Sequence, residues 1–314
     1  MILPTIVKML LQEHAHRPIR GRVLCLGPQQ VALHKGEVDA MFAATPQEAA
    51  EAMEAWRRDG ADTSVVTDAY FFSKFPKVRL DSLDVVEGFG GTVIHDLNKP
   101  IHHSLEGRYD FILDGGTFDH LVQLGTAFQN VIRLLKPGGR VLHYNAASGY
   151  IGAAYVSFGP DLFYDFYVVN KFADCRIHIL RGTGPGTHAP FEVFYLPDAR
   201  TKRLNSARNQ MVACLAEKAE DSTFDAVPVE YTYRPPVMRE EYSAIRAKML
   251  RSKRPMLQGN RPLWPTVRET LRRTRAELAW ARDRYRAGKF TWDKFRANRA
   301  RHKAGTGYIY IGQL

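Results

Sequence analysis

Tyr109-Asp-Phe-Ile-Leu-Asp-Gly-Gly-Thr117, followed by an amphipathic run and then Leu135-Lys-Pro-Gly-Gly-Arg-Val141, is the stretch whose reading decides the fold. Phe111 to Leu113 is a short apolar run that ends on Asp114. A buried parallel strand reads this way when it delivers a carboxylate to the carboxyl edge of a sheet. Gly115 and Gly116 allow a sharp turn there and leave room for a ligand. Residues 118–135 place Phe118, Leu121, Val122, Leu124, Phe128, Val131, Ile132 and Leu135 at near-helical spacing, which predicts a helix. Pro137-Gly138-Gly139 stops it, and Arg140-Val-Leu-His143 starts another strand, with a loop expected from Tyr144 to Tyr150. The unit is strand–helix–strand with its polar residues at strand ends, where open α/β sheets bind ligands.

Three segments further out extend the pattern. Arg22-Val-Leu-Cys-Leu-Gly27 reads as a first strand with a Gly turn. Val78-Arg-Leu-Asp-Ser-Leu-Asp84 reads as a second, with an acidic end. Thr92-Val-Ile-His-Asp-Leu-Asn98 reads as a third, followed by a loop at Asp96.

In this order the four segments resemble a class I S-adenosylmethionine (SAM)-dependent methyltransferase, over roughly residues 20–197. The resemblance implies an α/β fold: a doubly wound, mostly parallel, seven-stranded Rossmann-like sheet. It implies SAM as cofactor. Cys175–Leu180 and Phe191–Leu196 then resemble the antiparallel sixth and seventh strands. One departure stands out: the Gly-rich turn after the first strand is reduced to Gly27-Pro28-Gln29-Gln30. SAM has no pyrophosphate, so a full dinucleotide fingerprint is not required.

The resemblance also implies roles. Gly27 and Pro28 would let the backbone approach SAM. Asp84 would take the ribose hydroxyls, with Asp81 the competitor if the strand ends earlier. Asp96 and Leu97 match the adenine loop. Asp114, Gly115 and Gly116 would lie beneath the methionine part. Each carboxylate also has a plain reading as a cap or turn residue. For proton removal, His120 follows Asp119 where many family members carry an acidic–His pair, and His143 ends the fifth strand. A histidine's ordinary pKa suits that task. Asp119 is a third candidate, as base or as the group that orients a histidine, and Tyr144 a fallback. His95, His102 and His103 lie close in sequence without a ligand pattern, so no metal site is expected.

At 314 residues and 45% hydrophobic content the chain can bury a full core. No apolar run approaches the roughly 20 residues that a membrane span needs. Met1 to Leu11 lacks a basic leader, so residues 4–14 are read as a docking helix. Cys25, Cys175 and Cys214 have no metal spacing and suggest a reducing compartment without a disulfide framework. A cytoplasmic location is expected.

Charge divides the chain. Residues 231–314 hold 21 Lys and Arg against 6 Asp and Glu, a net +15; the whole chain is +11, so residues 1–230 carry −4. The expected organisation is a SAM-binding domain over 1–198, with an N-terminal helix and an insertion over 28–77, and a basic, largely helical extension over 199–314. Within the insertion, Thr45-Pro46 and Glu48 open a helix to about Arg58, and the aromatic segment 67–75 reads as core packing. Pro160 starts an aromatic helix to about Asn170. Helices are expected over 199–218, 239–252, 266–286 and 290–303, and a terminal strand over 306–311.

These readings point to methyl transfer to a small-molecule acceptor, which the basic extension would allow to be anionic. A hydroxyl of a sugar or related metabolite is favoured over nitrogen on the resemblance alone. The extension otherwise reads as a solvated or oligomer-forming surface, and a homo-oligomer is expected. A nucleic-acid methyltransferase is less favoured: after strand four the chain has Asp114-Gly-Gly-Thr117, not the Asn/Asp-Pro-Pro-aromatic motif of base-amino methyltransferases. A noncatalytic SAM-fold protein is the third reading, supported by the reduced Gly turn.

Overall fold

The structure, a computed structural model, describes residues 1–43, 48, 51, 66–88, 90–184, 187–192 and 209–250. All lie within the compact unit Met1–Leu257. Of the helix expected over 45–58 only Glu48 and Glu51 are described, both helical. The elements expected at 266–286, 290–303 and 306–311 lie outside the described residues.

The element order is α1 (Pro4–His16), β1 (Gly21–Leu26), β2 (Gln30–Val31), α2 (Lys35–Phe42), β3 (Val66–Thr67), α3 (Asp68–Ser73), β4 (Val78–Asp84), β5 (Val93–Ile94) and β6 (Tyr109–Asp114). Then follow α4 (Leu124–Leu134), β7 (Leu135–Ser148), α5 (Pro160–Val169), β8 (Asp174–Gly184), β9 (Thr187–Glu192), β10 (Gln210–Glu217) and α6 (Pro236–Leu250). The main sheet runs β5-β4-β1-β6-β7-β10-β8-β9. The strands from β5 to β7 are parallel, and β10 enters antiparallel between β7 and β8. Seven strands form the expected sheet, and β9 adds an eighth at the edge as an antiparallel partner of β8.

Alternation within the strands builds two cores. Leu24, Leu26 and Ile112 face a cluster with Phe128, Val131, Phe163 and Tyr167 of α4 and α5. Val23, Cys25, Phe111 and Leu113 face one with Ile6 and Leu10 of α1, Val38 of α2, and Phe71 and Phe72 of α3. The aromatic segment is therefore core, with Phe71, Phe72 and Phe75 packed edge to face or tilted.

Four expectations are corrected. Over 210–217 the chain is a strand, not a helix: Val212, Cys214 and Ala216 face one core, and Met211, Ala213 and Leu215 the other. A strand buried on both faces shows a continuous apolar run, which periodicity alone does not distinguish from buried helix. This strand, not Phe191–Leu196, is the seventh of the family sheet, and it lies past residue 198, so a boundary at 198 would cut the sheet. Next, β7 continues through the expected loop to Ser148, because Tyr144, Asn145 and Ala146 pair with Ala213, Val212 and Met211 of β10. β5 is shortened to Val93–Ile94. Finally, the helix expected over 118–135 begins only at Leu124, after a 3₁₀ turn at Phe118–His120. Asp114 Oδ1 accepts the N–H groups of Thr117 and Phe118, and Asn98 Oδ1 those of Val122 and Gln123. The backbone is thereby held off the helix, and Val122 is 71% exposed instead of core.

Candidate functional site

The strand order sets the carboxyl ends of β5, β4, β1 and β6 side by side. Gly27 leaves β1 with φ +74°, a conformation that suits glycine, and its N–H donates to Leu83 O at 2.7 Å. Pro28 is exposed and faces Gly90, where a Cβ would stand 3.8 Å from its Cγ. Gln29 is buried; its Nε2 donates to the carbonyls of Leu26 and Gly27 at 3.3 Å each. A Cβ on Gly115 would fall 2.5 Å from Gln29 Oε1. Gln29 therefore lies in the crevice between β1 and β6, a position that sequence reasoning passed over.

Asp84 is the last residue of β4 and half-buried. Its Oδ1 accepts the Val85 N–H at 2.7 Å, and no described residue pairs with Oδ2. Its competitor Asp81 is bound to Arg22 at 2.6 Å, within the strand and away from the edge. Asp96 Oδ1 accepts both the backbone and the side-chain N–H of Asn98 at 3.0 Å, which holds its carboxyl below the usual range. The Leu97 side chain is packed in the core, so only its backbone lies near the cleft.

Asp114 is fully buried and fully engaged. Oδ1 holds the Thr117 and Phe118 N–H groups. Oδ2 takes Asn145 Nδ2 at 2.6 Å and His143 Nδ1 at 2.8 Å. A carboxylate partner on Nδ1 makes that nitrogen the donor, so Nε2 accepts from the Tyr167 hydroxyl at 2.5 Å. His143 is fully enclosed, with the rings of Phe118, Phe163 and Tyr167 around it. Geometry thus gives Asp114 and His143 the task of anchoring the Gly115–Gly116 turn, with no face of either open to a ligand. Thr117 completes the anchor by donating its hydroxyl to Leu26 O at 2.6 Å, tying the end of β6 to the end of β1.

Asp119 and His120 lie on the far side of that turn. Asp119 is 6% exposed. Its Oδ2 accepts the Ala146 N–H at 3.2 Å and its own N–H donates to Asn145 Oδ1 at 3.2 Å. Oδ1 is buried without a hydrogen-bond partner among the described residues. Burial raises its pKa. The His120 ring is 60% exposed, with Nε2 3.7 Å from Asp119 Oδ1. Asn145 holds both acids, and was missed because its segment was read as loop. Tyr144 and Tyr150 stand near enough for the Asp119 charge to add to the effect of burial in raising both phenols.

Among the described residues no group of three His, Cys, Asp or Glu side chains forms a metal site. His95 bonds the Lys99 carbonyl, and His102 bonds Ser104. No described helix is long and apolar enough to cross a membrane.

No family model and no curated protein matches the chain. Among solved structures it is similar to the 1,6-didemethyltoxoflavin-N1-methyltransferase of Burkholderia thailandensis, at 17% identity over 68% of this chain and 77% of that one, with a TM-score of 0.29. It is similar to phosphoethanolamine N-methyltransferase 2 of Haemonchus contortus at 12% identity over 69% of this chain and 53% of that one, TM-score 0.38. A SAM-dependent methyltransferase of Archaeoglobus fulgidus aligns at 14% identity over 67% of this chain and 94% of that one, TM-score 0.36. Likenesses this distant say nothing of activity, and the fold rests on the sheet itself. Five parallel strands in the order β5-β4-β1-β6-β7, with β10 inserted antiparallel before β8, give this chain the class I SAM-dependent methyltransferase fold.

Proposed function

We propose that the chain is a SAM-dependent methyltransferase acting on a small-molecule acceptor. The observation that carries this reading is the orphaned Asp119 Oδ1, buried beside the Gly115–Gly116 turn at the carboxyl edge of β6. Its neighbour Asp114 has both oxygens satisfied, whereas a buried oxygen left without a bond is costly and gains from a ligand that supplies a donor. The edge also suits the cofactor. Asp84 has an oxygen free for ribose hydroxyls, the Asp96–Leu97 loop borders the adenine side, and the glycines at 27, 115 and 116 admit the methionine part. Bound there, SAM supplies a sulfonium-activated methyl group. The protein must hold the acceptor in line with that methyl and take its proton. Asp119 is the proton acceptor in this reading, and His120, adjacent and exposed, passes the proton to solvent. His143 is enclosed and takes no part.

One observation favours the noncatalytic alternative: Gln29 lies against Gly115, in the crevice the cofactor must enter. Its amide is held there, Nε2 by the Leu26 and Gly27 carbonyls and Oε1 by the Met1 ammonium at 2.8 Å, so entry of the cofactor at this point requires those bonds to open. Calorimetry with S-adenosylhomocysteine separates the readings. Binding by the unaltered chain supports the methyltransferase. Binding that appears only in Gln29→Ala supports a closed, noncatalytic site.

A further inference from the structure

The Asp119 carboxylate is fixed and only half-satisfied. Oδ2 is tied to Ala146 of β7, and the backbone on either side is tied down as well. Its N–H goes to Asn145, and its carbonyl accepts the Tyr155 and Val156 N–H groups at 2.8 and 3.1 Å. The side chain therefore cannot turn out to water. Oδ1 is aimed at the turn: a Cβ on Gly116 would stand 3.7 Å from it, and Gly116 has φ +96°. Among the described residues two cations lie near Oδ1 and neither is bonded to it: the His120 ring, at 3.7 Å, beyond hydrogen-bond length and mostly in solvent, and the Met1 ammonium, which donates to Gln29 Oε1 at 2.8 Å and whose pKa, lowered by burial, is pulled back up by the Asp119 charge. Asp114, a second buried carboxylate, lies just behind.

An unpartnered buried carboxylate oxygen is costly, and a ligand that satisfies it recovers that cost. A neutral hydroxyl would offer one hydrogen bond and bring no charge to Oδ1 itself. An ammonium group offers both the donor and the charge, and charge-assisted bonds are the stronger kind.

We propose that Asp119 Oδ1 seats the ammonium group of the acceptor, so that the substrate is a protonated amine in place of the hydroxyl suggested by resemblance. This deepens the methyltransferase reading and rests on it. The step balances. The ammonium gives a proton to Asp119. The freed nitrogen lone pair forms the N–C bond to the methyl as the C–S bond breaks, and that electron pair returns to sulfur. Asp119 then releases its proton through His120. A protonated amine and a sulfonium become a methylated ammonium, a thioether and one proton.

Benzylamine and benzyl alcohol differ in the charge at issue. Each is titrated by calorimetry into the full chain, with and without saturating S-adenosylhomocysteine, in wild type, Asp119→Asn and Asp119→Glu. Wild type should prefer the amine by at least about tenfold, and Asp119→Asn should lose that preference. Asp119→Glu keeps the charge and should keep the preference, and it decides the matter if the Asn variant does not fold. Equal binding of the two probes to wild type overturns the proposal, as does a preference that survives Asp119→Asn or vanishes in Asp119→Glu. S-adenosylhomocysteine should bind wild type and Asp119→Asn alike, within about twofold. A tenfold loss there would put the seat under the cofactor's own α-ammonium and overturn the acceptor assignment. Failure of S-adenosylhomocysteine to bind any variant would instead remove the methyltransferase reading, and the probe preference without it would still decide whether the seat exists.

Discussion

The two ends of the cleft hold their carboxylates differently. At the β4–β5 end, Asp84 and Asp96 are bonded to residues one and two positions away, Val85 and Asn98. At the β6–β7 end, the Asp114 and Asp119 carboxylates also take bonds from His143, Asn145 and Ala146, 27 to 31 positions away, beside the local ones that Thr117 and Phe118 give Asp114. A local bond leaves the carboxylate at the surface with an oxygen to spare. A long-range bond pulls the carboxylate into the fold, where it becomes structure unless an oxygen is left over. Asp114 has none left over and Asp119 has one, and on the proposed reading that single atom separates an anchor from a reactive group.

The largest effect should come from removing the anchor. Asp114→Ala would strand four donors, three of them buried: the Phe118 N–H, His143 Nδ1 and Asn145 Nδ2, and the half-buried Thr117 N–H. Breaking such a buried network costs on the order of 3–5 kcal/mol, measured by urea unfolding. Asp96→Ala at the other end should cost under about 1 kcal/mol, because the donors it leaves on Asn98 are only half-buried and can bond water in place. Similar losses for the two would erase the distinction between the ends.

The second effect is the part of the pH dependence that Asp119 contributes. Burial raises its pKa above the unfolded value. The folded protein then keeps a proton that the unfolded chain has released, so stability is greatest below the ordinary carboxylate range and falls as pH rises through the raised value. The slope is at most about 1.4 kcal/mol per pH unit. Asp165, pushed up to about 6 by burial against the pull of Arg234, adds a fall of the same sign. It is present in both proteins, so the difference between wild type and Asp119→Asn isolates Asp119. Unfolding curves at several pH values should show the variant gaining on wild type as pH rises. Parallel curves would mean that Asp119 is not desolvated.

What was legible in the sequence follows the same division. β1, β4 and the Asp84 end could be read from the order of apolar and acidic residues, because each strand end is decided within a few positions. The Asp81 ambiguity was local too, and the Arg22 pair across to β1 engages Asp81 while Asp84 keeps an oxygen without a described partner. Asn145 and the enclosure of His143 could not be read, since the first depends on β10 arriving beside β7 and the second on α5 folding over His143. That strand was itself hidden, its apolar run being ambiguous between strand and helix. Asp119 could be named as a candidate; the solitude of its Oδ1 could not, because that depends on what the remaining side chains do.

The third effect tests the local end. Asp84→Ala should weaken S-adenosylhomocysteine by about 1–3 kcal/mol, the usual loss for polar contacts to a ligand, with stability unchanged within about 0.5 kcal/mol. Asp81→Ala is the control: it opens the Arg22 pair and should leave affinity alone. Full affinity in Asp84→Ala would sink the ribose assignment.

The smallest expected effect concerns the basic extension, which we infer is separable from the cleft. Residues 231–314 carry +15 while residues 1–230 carry −4. The start of that segment nonetheless belongs to the compact unit. Arg234 is ion-paired with Asp165 of α5 and its guanidinium lies 3.8 Å from the centroid of the Tyr242 ring, in α6. A chain cut after 230 therefore loses a buried pair and should be less stable than one cut after 257. None of the cofactor-edge residues lies beyond Asp119, so the 1–257 chain should bind S-adenosylhomocysteine as the full chain does, within about twofold. If the extension recruits an anionic acceptor or nucleic acid, the full chain's KM should rise with salt, since contacts among exposed charges fade beyond a Debye length of about 10 Å at 0.1 M. The 1–257 chain should lack that rise. A large loss of cofactor affinity in 1–257 would join the extension to the cleft. Equal salt dependence in the two would leave the positive charge to solubility or to assembly between copies.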